Sequence, residues 1–284
     1  MISILKKAFK ITNNNLILTT PQVLFMILSG VFLKLSGMTD IKGLVLTFLI
    51  FVLMTGAFLA GWFAMVKDAI LQENTEPDTS KTSYNLLKSF PQGVGEQFIN
   101  YSVAILLFFI LITFVLYGAY QSALHFIGIL GITVSDINNA MVSTDALNKF
   151  LNSLTMEQLI KINQWNFMFL GFLSTYMFLI MLWAPEIAYE KSNAFKAFIM
   201  SIAKLFKNFF KSLTIFLFAM MLHIITSILT VFSGNNGGMY FVSTLLSIYT
   251  IAYIVVLLFL YYEREIKSNC DSRSDCEREN EASN

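Results

Sequence analysis

Six segments of the chain are each long and apolar enough to cross a membrane, and this constrains the fold more than any other feature. A helix needs about 20 predominantly apolar residues to span the ~30 Å hydrocarbon core of a bilayer. The predicted spans lie approximately at residues 16–35, 44–66, 98–126, 166–187, 209–232 and 240–262. The third and fifth are long enough to be tilted or partly interfacial.

The composition agrees with a membrane protein. Of the 284 residues, 56% are hydrophobic and 13% are charged, whereas an average soluble domain has about 25% charged residues. A soluble core of this length could not cover so much apolar surface, but a bilayer can solvate it. We therefore predict an all-α protein with a six-span transmembrane domain over residues 1–266. The net charge of +1 gives no indication of nucleic-acid binding.

The polar segment at residues 267–284 is predicted to be a disordered cytoplasmic tail. Its two cysteines, Cys270 and Cys276, are separated by five residues with no histidine nearby, which is poor spacing for a zinc site. A disulfide is disfavoured in the cytoplasm. We expect two free thiols whose role is open, and we expect neither a metal nor a cofactor.

The basic residues predict which side each loop faces, because cytoplasmic loops carry an excess of Lys and Arg. With the N-terminus inside, fifteen of the nineteen basic residues fall on the inner side. The four on the outer side are Lys34, Lys42, Lys149 and Lys161. We therefore expect both termini to be cytoplasmic.

A short segment rich in Lys and Phe connects the fourth and fifth spans. On a helix its lysines fall within roughly 80° of one another, and apolar side chains fill the opposite face. These lysines are Lys196, Lys204, Lys207 and Lys211. The pattern predicts a helix in the plane of the membrane surface. It is either a connector that sets the depth of the next span or a contact site for anionic lipid headgroups.

A similar segment precedes each odd-numbered span. The three segments read ILKKAFKITNNNLIL, YNLLKSFPQGVGEQF and FKAFIMSIAKLFKNF. Each is followed by a span, an outer turn and a return span. The pattern suggests three copies of a unit made of an interfacial helix and a helical hairpin, although basic flanks on inner loops are expected in any case.

The one sizeable outer segment lies at about residues 128–164. Ser143 is placed to cap one short amphipathic helix, and Thr155 with Gln158 resembles a capping box for a second. We expect these helices to cover the outer surface. The alternative is a lid over a central cavity.

Polar residues within the spans are rare, and such residues are frequently functional. His223 lies near the middle of the fifth span, and His125 lies near the outer end of the third, close to Gln121 and Tyr117. Gln22 follows a proline in the first span, where the helix could kink. These five side chains are the candidates for a cavity. A packed neutral imidazole is the simpler interpretation of each histidine.

The fourth span ends in two carboxylates. Glu186 follows a proline, and Glu190 lies one turn later. Both could face the four lysines that follow, Lys196, Lys204, Lys207 and Lys211, which we call the lysine stripe. We favour a structural ion pair at the interface over a substrate or proton site.

The second span carries small residues four apart. Gly56 pairs with Ala60, and Ala57 pairs with Gly61. Such pairs let helices approach closely. We expect this face to pack against another span of the same chain, with dimerisation as the alternative.

Motifs of the common enzyme classes are missing from the sequence. It contains no H-E-x-x-H, no G-x-S-x-G, no phosphate-cradling glycine loop and no Cys/His zinc cluster. The predicted membrane interior supplies hardly any acid, base or nucleophile. We therefore expect a protein that is not an enzyme.

One stretch of about 30 residues carries a family resemblance. The pattern P-x-I-x-x-E, then A-hydrophobic-x-x-S, then K-x-F is met by Pro185, Ile187, Glu190, Ala197, Ser201, Lys207 and Phe209. It resembles a loose group of bacterial six-span proteins, the membrane domains beside glycerophosphodiester phosphodiesterases and their stand-alone relatives. The resemblance implies a bacterial inner-membrane protein without known catalytic residues. The phosphodiesterase domain itself is absent from this chain.

Together these features favour a non-enzymatic integral membrane protein. It would organise or handle lipids, anionic ones foremost, or partner proteins at the inner face of the cytoplasmic membrane. The alternative is a small transporter or permease subunit with a central cavity between the spans. A homo-oligomer is compatible with either, and no nucleic-acid partner is expected.

Overall fold

The computed structural model describes residues 2–36, 41–73, 79–234 and 236–267. Over these residues the chain is helical and forms no strand, so the predicted all-α class is confirmed. Within the same ranges, six helices are long and apolar enough to cross a membrane, as predicted for a multi-pass membrane protein. The predicted tail, with Cys270 and Cys276, lies outside the described residues except for Lys267.

The helices are numbered in chain order. The first four are α1 (Ile2–Asn14), α2 (Thr20–Leu35), α3 (Ile41–Gln72) and α4 (Thr79–Phe126). They are followed by α5 (Val134–Ala140), α6 (Thr144–Ser153), α7 (Met156–Ile180) and α8 (Trp183–Glu190). The last three are α9 (Ala194–Lys207), α10 (Phe209–Phe232) and α11 (Gly237–Tyr261), which a π-helical segment at Tyr262–Lys267 continues. The candidate spans are Leu16–Leu35, Ile41–Gln72, Ser83–Phe126, Met156–Glu190, Phe209–Phe232 and Gly237–Ile266.

Polar side chains cap several helix starts, where they satisfy backbone N–H groups that have no partner within the helix. Ser143 Oγ accepts a hydrogen bond from the Ala146 N–H at 3.1 Å. The backbone N–H of Thr155 donates to Gln158 Oε1 at 3.0 Å, and the N–H of Gln158 donates back to Thr155 Oγ1 at 3.2 Å. Both caps predicted for the outer segment are therefore present. Its role as a lid or a cover stays a prediction.

The chain divides into two compact units. The first contains the residues up to Leu107 and those from Leu179 onward. In it α11 packs against α1, α3 and α10. The Tyr253 hydroxyl of α11 donates to the Leu5 carbonyl of α1 at 3.3 Å. The aliphatic core of this unit includes Ile11, Leu18, Met65, Ile70, Leu205 and Ile215.

Small residues allow α3 and the first half of α4 to come very close. A Cβ atom on Gly56 would overlap the side chain of Ser102, and one on Gly61 would overlap the ring of Phe90. Of the other two small residues of the second span, Ala60 lies against α4 at Gly93, and Ala57 lines an apolar groove of about 410 Å³. The glycines of the second span thus lie against the span that follows it in the chain.

The second unit contains residues Phe108–Phe178, which include the end of α4, α5, α6 and most of α7. The Tyr176 hydroxyl donates to the Phe108 carbonyl at 3.1 Å. Trp165 Nε1 donates to the Gly128 carbonyl at 3.2 Å, and the indole ring lies 5.8 Å from the ring of Tyr120. Aromatic residues of α4 and α7 therefore hold this unit together.

The three-copy pattern is only partly visible in the helix boundaries. A short helix precedes two long ones in α1–α2–α3 and again in α9–α10–α11. The middle copy differs, because α4 runs without interruption through Pro91. The segment before Pro91 buries Leu86 and Ser89. Packing against α3 therefore continues the span where we had predicted a separate interfacial helix.

Because α3 and α4 approach closely, we expect alanine at two glycines of α4 to change the free energy of unfolding in opposite directions. A Cβ on Gly93 would overlap Ala64 and the Ala60 carbonyl, whereas a Cβ on Gly95 meets nothing within 4 Å. We expect Gly93→Ala to lower the free energy of unfolding by about 1–3 kcal/mol through overpacking. Gly95→Ala should raise it by up to about 1 kcal/mol, because alanine favours the helix. Unfolding in a detergent titration, followed by helicity, measures both; equal effects would contradict the packing.

Candidate functional site

Charged side chains gather at one end of the first unit, which we call the basic end. It is formed by α1, α8, α9, the first turn of α10, the first turns of α4, and the last turns of α3 and α11. Lys10 of α1 pairs with Glu73 after α3 at 2.7 Å, and Lys211 pairs with Glu265 at 2.6 Å. Burial lowers the pKa of Lys7, and the nearby Arg264 guanidinium lowers it further. Positive charge is therefore dense at this end.

A buried group of three side chains joins α8, α9 and the end of α11; we call it the triad. Lys204 Nζ lies 3.0 and 2.9 Å from the two carboxylate oxygens of Glu186. It also donates to the Tyr262 hydroxyl at 2.7 Å, and that hydroxyl donates to Glu186 at 2.6 Å. The side chains of Lys204 and Glu186 are only 13% and 3% exposed. Because each charge has its partner, the triad can remain buried.

A second polar site, which we call the polar pocket, lies between α3, α4 and α8. It encloses about 290 Å³. Ala60, Ala64 and Gly93, where α3 and α4 meet, form part of its wall. Its polar side chains are Lys67, Asp68, Ser89, Gln92, Glu96, Gln97, Tyr101 and Lys191. The pocket therefore contains two cationic and two anionic groups.

The inner part of the polar pocket holds one charge of each sign. Lys67 Nζ donates to the Ala188 carbonyl at 2.8 Å and lies 5.2 Å from the centre of the Tyr189 ring. The Asp68 carboxylate accepts a hydrogen bond from the Ser89 hydroxyl. Both charged side chains are half-buried. A cation and an anion are thus fixed next to each other by neighbouring helices.

The short helix α8 needs these partners. The carbonyls of its last turn have no partner within the helix, and Lys67 supplies one to Ala188. Nearer the start of α8, Tyr101 donates its hydroxyl hydrogen to the Ala184 carbonyl at 3.0 Å. Side chains of α3 and α4 therefore hold α8 in place and bring its negative end to the pocket.

The mouth of the polar pocket is an ion pair between α4 and the end of α8. Lys191 Nζ lies 2.8 Å from Glu96 Oε2, and the two side chains are 62% and 42% exposed. Gln92 donates to the other oxygen of Glu96 at 3.1 Å. The backbone of Lys191 has φ +48°, and among the described residues it is the only one other than glycine with positive φ. A glycine would be favoured there, so the lysine adopts a backbone conformation that costs free energy.

The four lysines predicted to contact headgroups separate into two kinds. Lys196 and Lys207 are exposed on α9. Lys204 belongs to the triad, and Lys211 pairs with Glu265. Of the two predicted interfacial carboxylates, Glu186 contacts Lys204 directly, whereas Glu190 Oε1 lies 3.4 Å from the Tyr262 hydroxyl, whose hydrogen is donated to Glu186.

The five candidates for an intramembrane cavity occupy different surroundings. Gln22 is 6% exposed, and neither atom of its amide has a hydrogen-bond partner among the described residues. His223 is exposed on α10, and Tyr117, Gln121 and His125 are exposed on α4. None of the five lines the polar pocket. In the described part of the chain, no three His, Cys, Asp or Glu residues are grouped so as to hold a metal ion.

Sequence reasoning missed the residues of the polar pocket. The signal was present at residues 89–97, where Ser89, Gln92, Glu96 and Gln97 recur at helical spacing on one face. The sequence pattern predicts this stretch as part of an interfacial segment. That face meets Lys67 and Asp68 only because α3 and α4 are adjacent, which the sequence alone does not show.

Comparison with known proteins gives no further guide. No protein-family model matches the chain, and neither the curated proteins nor the solved structures include a significant match. The resemblance to the phosphodiesterase-associated membrane domains therefore stays a prediction.

Because Lys204 is buried in the triad, we expect its replacement to destabilise the protein far more than replacement of Lys211, another lysine of the stripe. Lys204→Met should lower the free energy of unfolding by about 3–5 kcal/mol, because it leaves the Glu186 carboxylate buried without a cation. Lys211→Met should lower it by at most about 1 kcal/mol, because its pair is more exposed. Adding Glu186→Gln to Lys204→Met should restore most of the loss. Detergent-titration unfolding measures all three, and similar losses for both single variants would contradict the buried pair.

Because Lys191 has a positive φ, we expect its replacement by glycine to leave the protein as stable as wild type. Lys191→Gly relieves a left-handed conformation worth about 1 kcal/mol and loses an exposed ion pair worth about 0–1 kcal/mol. The free energy of unfolding should therefore stay the same or rise slightly. Lys207→Gly, at the last residue of α9, should lower it by less than about 1 kcal/mol, because glycine disfavours the helical backbone. A clear loss of stability in Lys191→Gly with no loss in Lys207→Gly would contradict this reading.

Proposed function

We propose that the protein is a non-enzymatic membrane protein that binds lipid headgroups at the inner face of a bacterial cytoplasmic membrane. The polar pocket is the observation that carries the proposal. It is a charged recess at the basic end, beside helices that can cross a membrane. Its volume of about 290 Å³ suits a headgroup or a small solute.

The charge distribution supports placing this end on the inside. Lysines of α1 and α9, Lys191 after α8, and Arg264 lie at the basic end, and cytoplasmic segments carry such an excess. Lipids of the inner leaflet would then reach the mouth of the pocket laterally. Both termini would be cytoplasmic.

The surface of α9 supports contact with the membrane boundary. It exposes Phe195 and Phe206 as well as Lys196 and Lys207. Aromatic rings suit the acyl boundary, and ammonium groups attract anionic headgroups at about 1 kcal/mol each. The two exposed lysines would hold anionic lipid weakly, whereas the polar pocket would hold one headgroup tightly.

A transporter with a central cavity remains the alternative, and it rests on Gln22. This buried amide has no partner among the described residues. A transport path would bring polar groups of several spans together, and the other four candidates lie exposed on α4 and α10. The headgroup-binding protein therefore has the stronger support.

Native mass spectrometry of the protein in its own lipids tests the proposal. Wild type should keep at least one lipid after detergent exchange. A Lys67→Gln/Lys191→Gly variant should lose it, because both ammonium groups of the pocket are gone. A Lys196→Gln/Lys207→Gln variant should keep it and lose only weakly held anionic lipid. Equal retention in wild type and the pocket variant would refute the pocket as the headgroup site.

A further inference from the structure

The charge pattern of the polar pocket identifies the class of its ligand. Resting on the function proposed above, we infer that the pocket selects a zwitterion that carries both a phosphate and an ammonium group. The phosphate would lie between Lys67 and Lys191, and the ammonium would contact Asp68 and Glu96. This ligand class differs from the anionic lipids expected from the lysine stripe.

Charge balance is the first argument. The pocket holds two cations and two anions, with one of each sign in its inner part and one of each at its mouth. A purely anionic headgroup would gain contacts with the lysines but would bring its charge close to both carboxylates. A purely cationic ligand would meet the reverse problem. Only a ligand with both signs is attracted by every charged group of the pocket.

The end of α8 gives a second argument against an anion. The carbonyl of Ala188, in the last turn of α8, accepts a hydrogen bond from Lys67 of α3 at this site. The C-terminal end of a helix carries a partial negative charge. Added to the two carboxylates, this end disfavours a ligand of net negative charge and favours an ammonium group.

The third argument is size and access. The cavity of about 290 Å³ lies at the lower end of the usual range for small-molecule pockets. A phosphate joined to an ammonium by a two-carbon chain fits such a space. The exposed Lys191–Glu96 pair at the mouth can separate to admit it, because an exposed ion pair is weak.

The same chemistry has two sources, a lipid headgroup and a free solute. Phosphatidylethanolamine presents the phosphate and ammonium from the bilayer, and O-phosphoethanolamine presents them from the cytoplasm. Both fit the inference. Only the lipid source agrees with the function proposed above.

A competition between two lipids tests the inference. The full chain is placed in nanodiscs that contain phosphatidylethanolamine and phosphatidylglycerol in equal amounts with identical acyl chains. Native mass spectrometry after lipid stripping then reports which lipid stays bound. Wild type should retain phosphatidylethanolamine with a preference of roughly tenfold, because a hydrogen-bonded charged contact is worth about that factor or more.

A variant that still binds lipid but prefers a different one shows that the pocket recognises the headgroup, because a misfolded variant would lose binding altogether. Asp68→Asn/Glu96→Gln keeps the shape of both side chains and removes their charge, so the pocket becomes positive. This variant should lose the preference and retain phosphatidylglycerol at least equally. Glu73→Gln removes a carboxylate of the basic end outside the pocket. It should leave the preference of wild type unchanged.

The outcomes distinguish the two proposals. Lipid retention that depends on Lys67 and Lys191 without a preference for phosphatidylethanolamine overturns the zwitterion and leaves the headgroup site standing. Lipid retention that is the same in wild type and in every pocket variant overturns both the headgroup site and the zwitterion. Protection of wild type, but not of Asp68→Asn/Glu96→Gln, by O-phosphoethanolamine alone in a thermal-shift assay supports the zwitterion and overturns the lipid as its source.

Discussion

The short helix α8 depends on side chains from other helices, and the basic end of the first unit depends on α8. An eight-residue helix has few internal hydrogen bonds, so most of its polar groups need outside partners. Lys67 and Tyr101 donate hydrogen bonds to two of its carbonyls, and Lys204 neutralises its Glu186. These three contacts fix α3, α4 and α9 around one element. The triad lies on one side of α8 and the polar pocket on the other.

The triad raises the question of why a buried ion pair is retained at all. Apolar side chains of similar volume are often as stabilising as a buried pair. A helix such as α9, however, has an apolar surface that would pack almost equally well in several registers. A contact between Lys204, Glu186 and Tyr262 forms in one register only. We interpret the triad as the group that sets the position of α9, which apolar packing alone would leave ambiguous.

The sequence was most informative where the physical signal is local. Apolar length predicted six candidate spans, and the outer caps at Ser143 and Thr155 follow from residue types three positions apart. Partner choice is not local. Lys204 pairs with Glu186 and also with Tyr262, which lies 58 residues away in the chain. Whether a lysine of the stripe faces lipid or a carboxylate therefore depended on which helices are neighbours.

The residues of the polar pocket also could not be predicted from local signals, because they come together only when α3 and α4 are neighbours. Pro91 lies in the stretch that the sequence pattern predicts as a separate interfacial segment, whereas α4 continues through it and buries Leu86 and Ser89. Once the helix is continuous, Ser89 and Glu96 fall on the face that meets Lys67 and Asp68. An excess of lysine orients a membrane protein through its total charge, but a binding site depends on which charges are paired with carboxylates. In the function we propose, the exposed lysines of α9 attract any anion, whereas the paired charges of the pocket distinguish between ligands.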